Sequence, residues 1–275
     1  MASELPLGKN VPVQDRYSPS VLVPIARRAG RVDLGLALDE PLPFTGVDVW
    51  NAYEFSWLDA RGKPVVAALT LRVDADSQEM VESKSLKLYL NSFQNRRSEG
   101  PDEVRGLIHD DLAGLVGGGL QVDLVEGGAP PPWTHGEPEG RSLDDVELAC
   151  DTYTLDPTLL AGSADASQPV QETLHTQLLK SNCPVTGQPD WATLVVRYKG
   201  GRIDPAALLR YVVSYRDHCE FHELCVERIF CDLLEHCAPE ALTVYARYTR
   251  RGGIDINPFR SNFEPAALNV RSWRQ

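Results

Sequence analysis

The amino-acid sequence predicts an α+β fold of two modules, each an antiparallel β-sheet with helices on one face. Two observations predict it. Strand-like runs separated by short turns precede a helix-like run twice along the chain. At a constant separation of 141 residues, Asp76 also pairs with Asp217, Glu79 with Glu220 and Glu82 with Glu223. The shared order and the shared glutamate at the start of each helix favour an internal duplication.

The first predicted module covers residues 1–145. Residues 50–59 and 65–73 read as two strands, and Ala60-Arg61-Gly62-Lys63-Pro64 reads as the hairpin turn between them. A helix is predicted next, because Leu86, Tyr89, Leu90 and Phe93 recur at helical spacing. Residues 120–125 form a further strand, and the Pro/Gly-rich stretch 126–141 forms a loop.

The second predicted module covers residues 146–275. Residues 192–198 and 208–215 read as strands joined by a turn at Lys199-Gly200-Gly201-Arg202. A helix follows that places Ile229, Phe230, Leu233 and Leu234 on one face, and residues 242–248 form another strand.

Composition limits the classes of function. The net charge of −12 argues against a broad nucleic-acid surface, which needs clustered Lys and Arg. Residues 1–6 lack the charged and apolar regions of a signal peptide, and apolar runs such as 65–69 are too short to span a bilayer. We therefore expect a soluble, cytoplasmic protein whose six cysteines stay reduced.

The most informative segment is Ser181-Asn182-Cys183-Pro184-Val185-Thr186-Gly187-Gln188-Pro189-Asp190-Trp191. Proline and glycine break regular structure, so Cys183 is expected on an exposed turn, with the carboxylate of Asp190 seven residues on. A thiol reacts as a nucleophile only as the thiolate, which requires a base or a positive charge nearby. The alternative is that Cys183 is one more small buried hydrophobic residue.

Phe221-His222-Glu223 opens the helix of the second module. A glutamate there can accept two hydrogen bonds from a planar amide–amidine edge, and Phe221 can stack on such a ring. The alternatives are a first-turn acid that favours the helix dipole, and a histidine with an ordinary structural role.

Two further groups of residues suggest ligand sites. Cys219, His222 and Cys225 have a spacing that could hold a metal, although no second Cys or His pair supports it; Cys225, Cys231 and Cys237 also read as core residues. Arg247, Arg250, Arg251, Gly252 and Gly253 form a basic, glycine-rich turn that is either an anion site or a solvated hairpin turn.

The start of the first helix, Glu82-Ser83-Lys84-Ser85-Leu86-Lys87, is also distinctive. Ser83 can cap this helix, and Lys84 and Lys87 are either a solvated face or a cationic site.

Four of these motifs resemble the 7-cyano-7-deazaguanine reductases, the NADPH-dependent nitrile reductases of queuosine biosynthesis. They are the Glu82–Lys87 segment, the Cys183 loop, Phe221-His222-Glu223, and Tyr248-Thr249-Arg250-Arg251-Gly252-Gly253. The resemblance runs from about Tyr17 onward and implies tandem tunnelling-fold modules. It implies Cys183 as the covalent nucleophile and Asp190 as its proton partner. It also implies Val81, Glu82, Ser83, His222 and Glu223 as substrate contacts, and Ser83, Lys84, Arg251 and Gly252 as NADPH contacts.

The resemblance further implies a thioimidate formed between Cys183 and the nitrile, which two NADPH molecules then reduce to the amine, with no metal required. Two rivals stay open at the level of the residues. One is a cysteine hydrolase that uses Cys183, Asp190 and His222, and the other is a cyclohydrolase-like enzyme with a metal at Cys219, His222 and Cys225. Two modules per chain are too few to enclose a tunnel, so we expect a homodimer.

Overall fold

The fold is taken from a computed structural model that describes residues 16–36, 40–131 and 133–275. The expectation about residues 1–6 lies outside these ranges. The described strands are β1 (Pro24–Ala26), β2 (Thr45–Leu58), β3 (Pro64–Asp74), β4 (Glu79–Val81), β5 (Leu120–Glu126), β6 (Thr134–His135), β7 (Arg141–Ser142), β8 (Ala164–Asn182), β9 (Pro189–Ile203), β10 (Ala241–Tyr248), β11 (Ile254–Ser261) and β12 (Val270–Arg271). The described α-helices are α1 (Arg27–Asp33), α2 (Ser83–Asn91), α3 (Pro101–Val116), α4 (Pro205–Ser214) and α5 (His222–Cys237).

One sheet organises the described part of the chain. Its eight strands lie in the order β5-β3-β2-β11-β10-β9-β8-β7, and all neighbours are antiparallel except β7 and β8. The β2–β11 pair joins the N-terminal strands to the C-terminal strands, with Trp50 opposite Ile256. The structure is therefore α+β with antiparallel pairing, as the sequence predicts, but the separate sheets expected for the two modules are joined into one through the β2–β11 pair.

Helices α2 to α5 cover one face of this sheet. One apolar cluster packs α4 and α5 against β8, β9 and β10, and a second packs α2 and α3 against β2, β3 and β5. Short-range signals define these helices: Pro101 begins α3, and Gly117 ends it with a positive φ of 62°. No helix in the described ranges is long and apolar enough to cross a membrane.

The prediction of a strand at residues 208–215 is wrong, because these residues lie almost entirely in α4. The helix begins after Asp204, whose side chain accepts a hydrogen bond from the Ala206 amide at 2.9 Å, and Pro205 occupies the first turn. The predicted turn at residues 199–202 is also wrong, because β9 continues through Gly200 and Gly201 to Ile203. The partner strand is β8, which precedes β9.

These corrections change the relation between the two halves. A hairpin, two helices and a strand do occur twice, as β2-β3-α2-α3-β5 and as β8-β9-α4-α5-β10. Glu82 precedes the first helix of its half, whereas Glu223 lies in the first turn of the second helix of the other half. The separation of 141 residues therefore does not relate equivalent positions.

Candidate active site

The predicted catalytic residues meet in one cavity of about 40 Å³. Cys183 follows β8, Asp190 lies in β9, and His222 lies in the first turn of α5. The first half of the chain also contributes walls, from Trp50 on β2 and from Ser83 on α2. The other lining residues are Ile25, Met80, Val81, Lys87, Pro184, Glu220, Phe221, Glu223, Thr249, Arg251, Ile254 and Ile256.

Cys183 lies on a turn, as predicted, but it is not exposed: its exposed fraction is 5%. The Cys183 amide donates to the Gln188 carbonyl at 2.8 Å, and the Gly187 amide donates back to the Cys183 carbonyl at 2.9 Å. The preceding Asn182 donates to the His218 carbonyl at 2.8 Å, which fastens the turn to the segment before α5. This anchoring fixes the turn beside the cavity, which Cys183 lines.

Asp190 is the centre of a charged triad in the cavity. Its Oδ2 lies 3.3 Å from Nε2 of His222, and its Oδ1 accepts a hydrogen bond of 2.5 Å from Nη1 of Arg251. Burial alone would raise the pKa of Asp190, but the hydrogen bond from His222 and the charges of both partners lower the pKa below its usual range. Asp190 is therefore a carboxylate that is able to accept a proton.

Tyr248, which the sequence analysis did not assign to the site, orients the His222 ring. The two rings stack with centroids 3.7 Å apart and an interplanar angle of 4°. Nδ1 of His222 is buried and has no hydrogen-bond partner in the described residues, so the stack and Asp190 determine the position of the ring. No local pattern reveals such a pair, because the rings belong to a helix and to a strand.

Glu223 is buried at the floor of the cavity. Burial, and then the nearby charge of Asp48, raise its pKa to about 7. Behind it lies a buried ionic network: Arg260 donates to Asp48 and to Glu227 at 2.8 Å each. Arg27 and Arg31 complete the network, which ties α1, β2, α5 and β11 together. Glu223 is thus a buried carboxyl group with a pKa of about 7 beside this network.

The start of α2 differs from its prediction in one respect. The N-cap is Glu82 and not Ser83, because the Glu82 carboxylate accepts hydrogen bonds from the amides of Lys84 at 2.9 Å and Ser85 at 2.6 Å. Val81 and Ser83 line the cavity, whereas Glu82 and Lys84 are not among its lining residues. A substrate contact by Glu82 and a cofactor contact by Lys84 stay predictions.

Two cations face each other beside the triad. Lys87 lines the cavity with Arg251, and its pKa is lowered by burial and then by the charge of Arg251. Lys87 also lines an adjoining cavity of about 70 Å³ together with Gly252, whose φ is +61°. A side chain at Gly252 would place its Cβ 3.3 Å from Cδ of Lys87. The alternative of a solvated lysine face is therefore wrong for Lys87, and this group of residues suits an anion.

The structure does not bring the predicted metal ligands together. In the described ranges, the group of potential ligands within 4.8 Å of one another is His218, Glu220 and Cys225, which lacks Cys219 and His222. Glu220 accepts two hydrogen bonds from Arg228, which compete with a metal for its oxygens. The prediction of core positions for Cys225, Cys231 and Cys237 is confirmed, because all three pack in or against the apolar cluster of α5.

The basic turn divides between the two faces of the sheet. Arg251 lines the active-site cavity, while the guanidinium of the exposed Arg250 lies 5.8 Å from the ring centre of Tyr53. Arg247 lines a different cavity, on the face without helices. The anion-site interpretation therefore stays a prediction for Arg251 and Gly252, and the structure does not support it for the turn as a whole.

Comparisons with known proteins agree with this arrangement. A family described as "Nitrile reductase, 7-cyano-7-deazaguanine-reductase N-term" matches residues 13–124, and one described as "QueF-like protein" matches residues 189–267. An NADPH-dependent 7-cyano-7-deazaguanine reductase of Azoarcus sp. is 53% identical over 95% of this chain and 92% of its own length. Proteins of the same name from Bordetella pertussis (53% identical, 99% of each chain) and Dechloromonas aromatica (52% identical, 98% of this chain and 95% of the relative) also match.

The chain belongs to the 7-cyano-7-deazaguanine reductase family. The resemblance inferred from the motifs is thereby confirmed. The match to the 7-cyano-7-deazaguanine reductases extends over both halves of the chain, and both halves line the cavity.

Proposed function

We propose that the protein is an NADPH-dependent 7-cyano-7-deazaguanine reductase, which reduces the nitrile to the primary amine 7-aminomethyl-7-deazaguanine in queuosine biosynthesis. One observation carries the proposal: Cys183, Asp190 and His222 share a cavity with two cations, Lys87 and Arg251. A thiol, a carboxylate and an anion-binding group are the parts that a thiol-dependent nitrile reductase requires.

The first chemical step is covalent. Asp190, an ionised carboxylate, accepts the proton of the Cys183 thiol, and the thiolate attacks the electrophilic nitrile carbon. The S–C bond forms as one C–N π bond breaks, and the proton passes to the nitrogen from Asp190 or from His222. The product of this step is a thioimidate, in which the carbon is much easier to reduce than in the nitrile.

Reduction needs a phosphate-bearing dinucleotide beside Cys183. The pair of close cations, Lys87 and Arg251, fits such a group, because burial and the charge of Arg251 lower the pKa of Lys87, and a bound anion would favour its charged form. Ser83, Lys84 and Gly252 would contact the same dinucleotide. A bound NADPH would supply one hydride to the thioimidate and, after the thiolate leaves, a second NADPH would supply one to the resulting imine.

Exclusion of water separates this function from that of a hydrolase. A thioimidate hydrolyses when water reaches its carbon, so a reductase has to close the site around it. Cys183 is buried at 5% exposure, and the cavity of about 40 Å³ has room for very little water. A bicyclic base needs more space, so we expect Arg251 to move away from Asp190 when the substrates bind.

Recognition of the base rests on the residues around the thiol. The carboxylate of Glu223 would accept hydrogen bonds from the planar amide–amidine edge, and Phe221 would stack on the ring. Val81, Glu82, Ser83 and His222 complete the proposed contacts. Because Glu223 has a pKa of about 7, its ability to accept two hydrogen bonds depends on pH in the neutral range.

For the assembly, we propose tandem tunnelling-fold modules at residues 1–145 and 146–275, joined in a homodimer. Within the described residues, β8 pairs on its outer edge only with the two-residue β7, which leaves most of a 19-residue edge open. Trp273 is 73% exposed, which favours a covering partner. A cytoplasmic enzyme that acts on the free base, without nucleic acid, fits the net charge of −12.

The test measures NADPH oxidation by absorbance after the nitrile is added, with mass analysis of the product. The proposal predicts two NADPH oxidised per amine formed, and no turnover by Cys183→Ala. Formation of an amide or acid without NADPH oxidation would instead identify a hydrolase. Sedimentation of the same preparation tests the dimer, which would have about twice the chain mass of 30.4 kDa.

A further inference from the structure

The helix-free face of the sheet contains a cavity of about 180 Å³, which is larger than the active-site cavity. Its floor consists of cross-strand pairs on β9, β10 and β11, among them Val195 opposite Tyr245 and Tyr245 opposite Phe259. Segments 136–139 and 264–272 form its walls, and exposed residues of these segments, such as Leu268, leave an entrance from solvent. The space is apolar in its centre, where Val195, Tyr245 and Phe259 form a cluster of their own.

Arg247 lines this cavity with a guanidinium that has no charged partner among the described residues. The exposed fraction of Arg247 is 5%. Its Nε donates a hydrogen bond to Oε1 of Gln275 at 3.0 Å. Its Nη1 donates to the hydroxyl of Tyr245 at 2.7 Å and to Oδ1 of Asn269 at 2.9 Å. All three acceptors are neutral. Nη2 is buried and has no hydrogen-bond partner in the described residues. Buried charges are ordinarily paired, so this donor is available to an anion.

A second polar group has the same character. Ser272 also lines the cavity at 6% exposure, and its hydroxyl is buried with no partner in the described part of the chain. The other arginine of the cavity, Arg197, is already paired with Glu139 and Glu264. Asp255, on the neighbouring strand, accepts from Asn51 and Asn257 instead of from Arg247. Arg247 and Ser272 are therefore two residues of this cavity that each have a buried donor atom without a partner among the described residues.

We infer that this cavity is a second binding site, for a small monocarboxylic acid with an apolar or aromatic body. The carboxylate would accept hydrogen bonds from Nη2 of Arg247 and from the hydroxyl of Ser272, and the body would pack against Val195, Tyr245 and Phe259. A benzene ring fits a buried apolar cavity of about 150 Å³, so the volume suits a single ring and excludes a dinucleotide. This second site lies on the opposite face of the sheet from the proposed active site. The two sites are close along the chain, because Arg247 precedes Tyr248, which stacks on His222.

Benzoate is the probe, and benzyl alcohol, which has a similar shape and no charge, is its control. Calorimetric titration of the full-length protein with each compound, at low salt, measures binding directly. The inference predicts saturable binding of benzoate and at least about tenfold weaker binding of benzyl alcohol, because a charge-assisted hydrogen bond is lost. Failure of benzoate to bind at millimolar concentration, or equal binding of the two compounds, overturns the inference.

Variants locate the site. Arg247→Met and Val195→Phe are expected to weaken benzoate binding at least about tenfold, the first by removing the donor and the second by filling the space. Arg250→Met, in an exposed arginine just after the strand that contains Arg247, is expected to leave benzoate binding unchanged. Ser272→Ala is a smaller change, which is used in case Arg247→Met does not fold. We expect Ser272→Ala to fold and to bind benzoate more weakly than the wild type. Benzoate binding that survives both Val195→Phe and Ser272→Ala, or that is lost in Arg250→Met, overturns the assignment.

Discussion

Replacement of Arg251 by alanine is expected to weaken NADPH binding and also to change the pKa of Asp190, the proposed proton partner of Cys183. The guanidinium of Arg251 bonds Asp190 at 2.5 Å, bonds the side chain of Gln188, and lies beside Lys87 in the cavity. In the proposed enzyme the same group binds a phosphate of NADPH. Loss of one charge-assisted hydrogen bond costs about 1.5–3 kcal/mol. The Michaelis constant for NADPH should therefore rise by about tenfold to a hundredfold, and that for the nitrile by much less.

The same variant has a second effect, on pH dependence. Arg251 lowers the pKa of Asp190, so its removal raises that pKa. Activity that requires the Asp190 carboxylate falls as the pH falls through its pKa, and a raised pKa moves this acid limb to higher pH. The measurement is kcat/KM against pH, which reports the pKa values of the free enzyme, in which Arg251 bonds Asp190.

Arg250→Ala is the matched control, since Arg250 is the exposed neighbour in the same turn and is not among the cavity's lining residues. Wild-type constants are expected for it. An unchanged Michaelis constant for NADPH in Arg251→Ala, or an acid limb at the wild-type position, would refute the reasoning about this residue.

Three further changes test other parts of the account. Glu223 must be ionised to accept two hydrogen bonds, and its pKa is about 7, so the affinity for the nitrile should rise as the pH rises through about 7. The Glu223→Gln variant should bind the nitrile weakly at every pH. Titration calorimetry tests both expectations, and a wild-type affinity that is independent of pH contradicts them. Tyr248→Phe should keep the wild-type kcat, because the aromatic ring that stacks on His222 is retained. Tyr248→Leu should lower kcat by up to about tenfold, because the His222 ring is no longer held by the stack. Equal kcat values for the two variants contradict the role of Tyr248 in positioning His222. Arg260→Met should lower the free energy of unfolding in denaturant by about 3–5 kcal/mol. Arg72→Met, at an exposed ion pair, should lower it by about 1 kcal/mol or less, and similar losses in both would contradict the importance of the buried network.

Local patterns in the sequence predicted the elements whose signals are local. The hairpin of β2 and β3 has its turn at Gly62, with a positive φ of 89°, and the helical spacing in α2 and α5 matches their buried faces. The error at residues 208–215 arose because Val212, Val213 and Tyr215 have high strand propensity. Asp204 and Pro205 were the overlooked local signal for a helix start. Because α4 was taken for a strand, the second half was predicted to have one helix too few, and α5 was matched with α2 of the first half.

The site was predictable from residue chemistry, but its geometry was not. Cys183, Asp190 and His222 were correctly expected to meet, and the structure adds the bond of Arg251 to Asp190, which no spacing along the chain indicates. Burial of Cys183 was missed because a Pro/Gly-rich turn is normally exposed, whereas this one is held down by Asn182. The stack of Tyr248 on His222 depends on how β10 packs against α5, which only the folded chain determines.

The central claim is that Cys183 forms a covalent bond with the nitrile, and intact mass analysis tests it most directly. The protein is incubated with 7-cyano-7-deazaguanine in the absence of NADPH and its mass is measured. The wild-type chain should gain the mass of one substrate molecule, lose it when NADPH is added, and gain nothing as Cys183→Ala. An unchanged wild-type mass in a preparation that turns over with NADPH, or an equal gain in Cys183→Ala, would contradict the account.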